Sequence, residues 1–123
     1  MSKVSVLIVD DEDDMRALMR SLIELANDGL SVAGTAGDGD EALLRWREQR
    51  PDIVLLDHRM PGRSGLEIAE VILRENPNQA VVLFSAFLDP DVARTAESLG
   101  VRACLKKDEA RAVISQLREC AAA

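Results

Sequence analysis

The sequence predicts an α/β domain, a doubly wound five-stranded parallel sheet with five helices, on three observations. Short and almost wholly apolar runs, such as Val4–Val9 and Ile53–Leu56, read as strands covered on both faces. Between such runs lie segments whose apolar residues recur at helical spacing, each bounded by caps or breakers. Strands and helices therefore alternate, five of each, which calls for parallel strands joined by right-handed crossovers. A chain of 123 residues has room for one core of this kind, so residues 1–123 are read as a single domain.

The elements follow in order. Val4–Val9 is β-rich and runs into the acids Asp10, Asp11, Glu12, Asp13 and Asp14. Met15, Leu18, Met19, Leu22, Ile23 and Ala26 then form one helical stripe, stopped by Asn27-Asp28-Gly29. Residues 30–35 read as a weaker strand interrupted by Gly34, and Asp38-Gly39-Asp40-Glu41 opens a second helix with an acidic first turn that suits the helix dipole. Ala42, Leu43 and Trp46 form its inner face, and Arg50-Pro51 ends it, because a residue before proline avoids the helical region. Ile53–Leu56 is the third strand, and Asp57 is the first polar side chain after it. Met60-Pro61-Gly62 breaks regular structure, and Ser64 and Glu67 have the spacing of a capping box opening a third helix, with Leu66, Ala69, Ile72 and Leu73 facing the core. Asn76-Pro77-Asn78 is a turn, and residues 80–84 form the fourth strand, ending at Ser85. Asp89-Pro90 reads as N-cap plus first-turn proline of a fourth helix. That helix has only Val92, Ala93, Ala96 and Leu99 to bury and is closed by Gly100. Residues 101–105 read as the last strand, leading into Lys106-Lys107-Asp108, and Val113, Ile114, Leu117 and Cys120 line a final helix.

Composition narrows the function classes. Hydrophobic residues are 47% and charged residues 30% of the chain, as in ordinary globular domains and unlike disordered ones. The net charge of −7 argues against a non-specific grip on nucleic-acid phosphates by this domain and suits cations or basic partners. No apolar run approaches the roughly 20 residues that span a bilayer, and Met1-Ser2-Lys3 leads straight into a strand, so a cytoplasmic location without membrane contact is expected. Cys104 and Cys120 lack metal-ligand spacing, and with His58 as the single histidine neither a zinc site nor a disulfide is expected.

Doubly wound sheets bind ligands beyond the carboxyl ends of their strands, where strand order reverses. In the flavodoxin-like order 2-1-3-4-5 that point lies between strands 1 and 3, which end in Asp10 and Asp11 and in Asp57. Strand 4 ends in Ser85 and strand 5 in Lys106-Lys107, and neighbouring strands lie about 4.8 Å apart. Three carboxylates with a hydroxyl and an ammonium beside them suit a hard divalent cation and an oxyanion. Magnesium fits, because it takes oxygen ligands and is usually held by one or two carboxylates, waters and a phosphate.

The motifs V-D-D, L-L-D-x-x-M-P-G-x-x-G, F-S-A and L-K-K-D, in this order and spacing over essentially the whole chain, resemble the receiver domain of a bacterial two-component response regulator. The resemblance implies that Asp57 is the phosphoacceptor, that Asp10 and Asp11 bind Mg2+ together with Asp57 and the backbone carbonyl of Arg59, that Ser85 is the switch hydroxyl, and that Lys107 is the active-site lysine. It implies phosphorelay signalling: a phosphoryl group taken from a sensor histidine kinase or phosphotransfer protein alters the strand 4, helix 4 and strand 5 surface. Such a module is a switch acting on itself, not an enzyme with an external substrate, and a homodimer formed on phosphorylation belongs to the same picture. Arg59 and Phe87 occupy variable positions associated with the lifetime of the acyl phosphate. Two departures stand out. Cys104 replaces the usual Tyr or Phe of the switch, and Asp108 replaces the proline after the lysine, so the usual cis peptide is not expected. Lys107-Asp108 and the run V-A-G-T-A-G-D-G-D-E-A-L are similar to receivers that precede a helix-turn-helix DNA-binding domain, none of which lies within these residues.

Two other classes fit the residues less well. A magnesium-dependent phosphatase with an aspartyl-phosphate intermediate usually carries D-x-D after strand 1, and V-D-D-E-D places its acids differently. A flavin-binding electron carrier needs aromatic residues around the flavin, and this chain has two Phe, one Trp and no Tyr. His58 is read as a surface loop residue, Trp46 as packing, and the terminal Cys120-Ala121-Ala122-Ala123 as a helix end, not a lipidation signal.

Overall fold

The computed structural model describes residues 3–86 and 88–122. Five parallel strands, β1 (Val4–Val9), β2 (Leu30–Ala36), β3 (Ile53–Leu56), β4 (Ala80–Ser85) and β5 (Ala103–Lys106), form one sheet in the order β2-β1-β3-β4-β5. They alternate with α1 (Asp13–Ala26), α2 (Gly39–Gln49), α3 (Gly65–Glu75), α4 (Pro90–Leu99) and α5 (Ala110–Ala122), the last preceded by a 3-10 turn at Lys107–Glu109.

Alternation along each central strand divides the core between the two faces. Val6, Ile8, Ile53, Leu55, Val82 and Phe84 pack with Met19 and Ile23 of α1 and with Val113 and Leu117 of α5. Leu7, Val9, Val54, Leu56, Val81 and Leu83 point the other way, onto α2, α3 and Ala96 of α4. Each large aliphatic side chain so buried contributes about 1.5–3 kcal/mol, in keeping with a wholly apolar β3, a β4 apolar up to its terminal Ser85, and a β1 whose one polar residue, Ser5, lies in its partly buried first half.

Helix boundaries follow local chemistry. Asp38 caps α2 by accepting from the Glu41 backbone N–H, Ser64 and Glu67 form a reciprocal capping box on α3, and Asp89 caps α4 with Pro90 in its first turn. Asn27, Arg50 and Gly100 end α1, α2 and α4 in the left-handed conformation.

Three expectations need correction, and the expected interruption of β2 takes a defined form. Leu18 lies on the flank of the α1 stripe and is 45% exposed, leaving Met19 and Ile23 as the anchors. In α3, Ile68 is fully buried while Leu66 is only partly so. The last strand begins at Ala103, because Gly100 and Val101 are occupied in closing α4, their N–H groups donating to the Glu97 and Ala96 carbonyls, and Arg102 makes the first contact with β4 through its N–H to the Val81 carbonyl. The interruption of β2 is a bulge, where Val6 pairs with Val32 and Leu7 with Gly34, and the strand then continues to Ala36. As expected, α4 is lightly docked, with Ala96 its one buried residue.

Candidate functional site

The carboxyl ends of β1, β3 and β5 bring Asp10, Asp57 and Lys107 together. Backbone pairing carries on past the strands: the Asp10 N–H donates to the Ala36 carbonyl at 3.0 Å and the Asp57 N–H to that of Val9 at 2.9 Å. Both carboxylates are buried, at 2% and 3% exposure, a placement that demands compensation. Lys107 supplies part of it, with Nζ 2.6 Å from Asp10 Oδ2 and 3.2 Å from Asp57 Oδ2. The remaining oxygens are held by backbone: Asp10 Oδ1 accepts from Glu12 N–H at 2.9 Å and Asp57 Oδ1 from Arg59 N–H at 3.2 Å.

The charge balance sets the protonation. Burial, with the like charge of Asp10, lifts the Asp57 carboxyl to about 6 against the opposing pull of Lys107 and of the Arg59 N–H. Burial draws Lys107 down, but its hydrogen bond to Asp10 and the charges of Asp57 and Asp10 together leave it above the usual lysine value. One ammonium therefore serves two buried acids while Asp11 and Glu12 stand at the rim, and the site keeps an excess of negative charge.

The carboxylates of Asp10, Asp11 and Glu12 have oxygens within 4.8 Å of one another. An all-oxygen, anionic donor set suits a hard cation such as Mg2+, so the residues present fit the ion. Glu12 caps α1 without a side-chain hydrogen bond, and its Oε1 lies 3.7 Å from Lys107 Nζ.

Ser85 ends β4 fully buried, and its Oγ has no hydrogen-bond partner among the described residues. Lys106, opposite it on β5, is exposed and turned from the acids. Gly65 locks the loop after β3: its N–H donates to the His58 carbonyl at 2.8 Å, and a Cβ there would lie 2.4 Å from the Asp57 carbonyl oxygen. His58 corrects the reading as a plain surface residue, since it is half-buried with Nδ1 enclosed and unpartnered, and burial, aided by Arg59, holds its imidazole below the usual range. Cys104 lines an open cavity of about 310 Å³ with Ala93, Glu97 and Val101, between α4 and β5. Among the described residues no peptide bond is cis. Phe87 lies outside them.

Comparison with known proteins decides the family, because the response regulator receiver domain model matches residues 6–118. The chain belongs to the response regulator receiver family. Its β2-β1-β3-β4-β5 sheet is the receiver fold, and the family's place is in two-component phosphorelay signalling. Over 80 residues it is 45% identical to the response regulator GacA of Pseudomonas viridiflava, a match covering 64% of this chain and 36% of GacA. The chain thus spans about a third of the length of the GacA relatives it matches. The receiver domain of the response regulator NarL from Mycobacterium tuberculosis superposes with a TM-score of 0.89 at 32% identity, covering 98% of both chains. A DNA-binding response regulator of the LuxR family from Staphylococcus aureus does so with a TM-score of 0.88 at 26% identity, covering 96% of this chain and 98% of that one.

Proposed function

We propose that this receiver accepts a phosphoryl group from a histidine kinase or phosphotransfer protein on Asp57, in a Mg2+-dependent reaction, and that the modification switches the β4, α4 and β5 surface. The observation that carries this is the buried triad Asp10, Asp57 and Lys107, in which one carboxylate keeps a carboxyl value near 6 and is mostly ionised at neutral pH. An ionised Asp57 oxygen attacks the phosphorus of a donor phosphoimidazole. The new O–P bond forms as the P–N bond breaks, and the imidazole leaves with the electron pair and takes up a proton. Lys107 stabilises the negative charge on the transferring oxygens, and the N–H of Arg59 keeps the other Asp57 oxygen oriented.

The Mg2+ ion would be held by Asp10, Asp11 and Asp57 with the Arg59 carbonyl, Glu12 standing within reach, and it supplies charge neutralisation for the phosphoryl oxygens. Ser85 Oγ, buried and without a partner, is suited to donate to a phosphoryl oxygen on Asp57. The gain in that contact is what couples phosphorylation to β4 and thence to the weakly docked α4. With Cys104 in place of an aromatic, the shift falls to the backbone after Ser85 and to α4 itself. Such a module is a switch in the cytoplasm, and a DNA-binding output domain in the same protein accords with the LuxR-family relative. No helix among the described residues is long and apolar enough to cross a membrane.

The test is incubation with acetyl phosphate and Mg2+ followed by intact-mass analysis. One added phosphoryl group is expected, absent in Asp57→Asn and absent when the cation is chelated. Equal labelling of Asp57→Asn would overturn the assignment.

A further inference from the structure

Arg16 is a half-buried cation that the reading above leaves unused. It stands one turn into α1 with its side chain only 21% exposed. Its Nη1 donates to the backbone carbonyl of Asp10 at 2.6 Å, and its Nη2 pairs with the exposed Asp13 carboxylate at the rim of the site. Opposite these partners the guanidinium rests on Gly37, just after β2, where a Cβ would lie 3.1 Å from Nη1. Glycine is therefore what leaves room for it. Gly37 lacks a left-handed backbone, so no turn geometry demands glycine here, and the close approach of Arg16 remains as the reason.

The target of this clamp is one peptide plane. Asp10 has its N–H on Ala36, its Oδ1 on Glu12 N–H and its Oδ2 on Lys107, so its own side chain is held without Arg16. Its carbonyl belongs to the Asp10–Asp11 peptide, and rotation of that plane re-aims the Cα–Cβ bond of Asp11, which is exposed and has no packing to hold it.

We propose that Arg16, seated on Gly37, is a positioning residue for the divalent cation: by gripping the Asp10 carbonyl it orients Asp11 toward the metal. This rests on the assignment of Asp10 and Asp11 as metal ligands. Two effects of opposite sign compete, because a guanidinium near the acids repels a cation while the clamp pre-organises a ligand. Removing partners that orient metal ligands typically costs about 10–100-fold in affinity, whereas a charge at the rim is screened by water, so orientation outweighs repulsion.

The experiment is titration of metal-free protein with MgCl2 by calorimetry, and with Mn2+ by electron paramagnetic resonance, alongside urea denaturation of the same samples. Arg16→Met is expected to weaken cation binding about tenfold. Gly37→Val, which keeps every charge but crowds the guanidinium off its seat, is expected to weaken it in the same direction. In an Asp11→Asn background either change should cost less than about twofold more, because the ligand it orients is already compromised. Binding by Arg16→Met as tight as, or tighter than, the parent would overturn the proposal, leaving repulsion as the only effect. An undiminished tenfold loss in the Asp11→Asn background would overturn it too, since Arg16 would then act elsewhere. Should Arg16→Met fail to fold, Gly37→Val decides alone, and unchanged affinity in that variant refutes the clamp. If the parent itself binds neither ion, the metal assignment falls, and this inference with it; if the parent binds and the variants bind equally, only the inference falls.

Discussion

Replacing Asp57 by Asn should make the metal-free protein more stable at pH 8, although it deletes the proposed phosphoacceptor. The carboxyl is 3% exposed and rises from 3.8 to about 6, mainly through burial and secondly through Asp10. At about 1.4 kcal/mol for each tenfold change in proton affinity, that rise amounts to about 3 kcal/mol. The native state binds this proton more tightly than the unfolded chain, so the contribution of Asp57 to stability is greatest below pH 3.8, falls as pH rises through the window from 3.8 to about 6, and levels off above it. Asn resembles the protonated acid and is spared this loss. Urea denaturation in a chelator is therefore expected to show Asp57→Asn more stable by about 3 kcal/mol at pH 8, shrinking to less than about 1 kcal/mol at pH 4. Other acids titrate in both proteins and cancel in the difference. An equal or lower stability of the variant at pH 8 would mean that Lys107 fully compensates the buried charge, and the electrostatic reasoning would be refuted.

Three further outcomes follow from the same geometry. Lys107→Met leaves Asp10 and Asp57 buried without their ammonium, so it should cost about 3–5 kcal/mol at pH 8 and less at pH 5, where Asp57 takes up a proton; paired urea curves at the two values check this. Gly65→Ala drives a Cβ into the backbone of Asp57 and His58, and should cost about 1–3 kcal/mol in thermal or urea unfolding and slow acyl phosphate formation as well. Hydrogen exchange on phosphorylation should change mainly in residues 85–107, because Ser85 and Lys107 bracket the thinly packed α4; changes confined to α1 or α2 would exclude that route.

What the sequence made legible was local or periodic. The Ser64 and Glu67 capping box, the Asp89 cap, the opening of α2 after Asp38 and the apolar runs of β3 and β4 depend on residues within one turn or one strand, and each appears where the pattern put it. The continuous apolar runs of β1, β3 and β4 implied two covered faces, with Asp10, Asp57 and Ser85 at their carboxyl ends. Features set by distant partners were not legible. Leu18 belongs to the helical period, but exposure depends on how α1 is rotated on the sheet. The start of β5 depends on Arg102 reaching Val81 across the sheet. Trp46 was expected to pack, yet its indole N–H also donates to the buried Gln79, whose amide serves the carbonyls of Pro51, Asp52 and Ala80. Within the site, the sequence offered acids and a lysine at strand ends; that Lys107 contacts both Asp10 and Asp57, and that Arg16 grips the Asp10 carbonyl, depend on side-chain reach across elements.

The most direct test of the central claim locates the phosphoryl group chemically. Protein treated with acetyl phosphate and Mg2+ is reduced with borohydride, which converts a phosphorylated aspartate to homoserine, and is then digested and sequenced by mass spectrometry. Homoserine at position 57 alone, and none when the cation is chelated, is the expected result. Homoserine at Asp10 or Asp11, or an unmodified Asp57 beside phosphorylated protein, would contradict it.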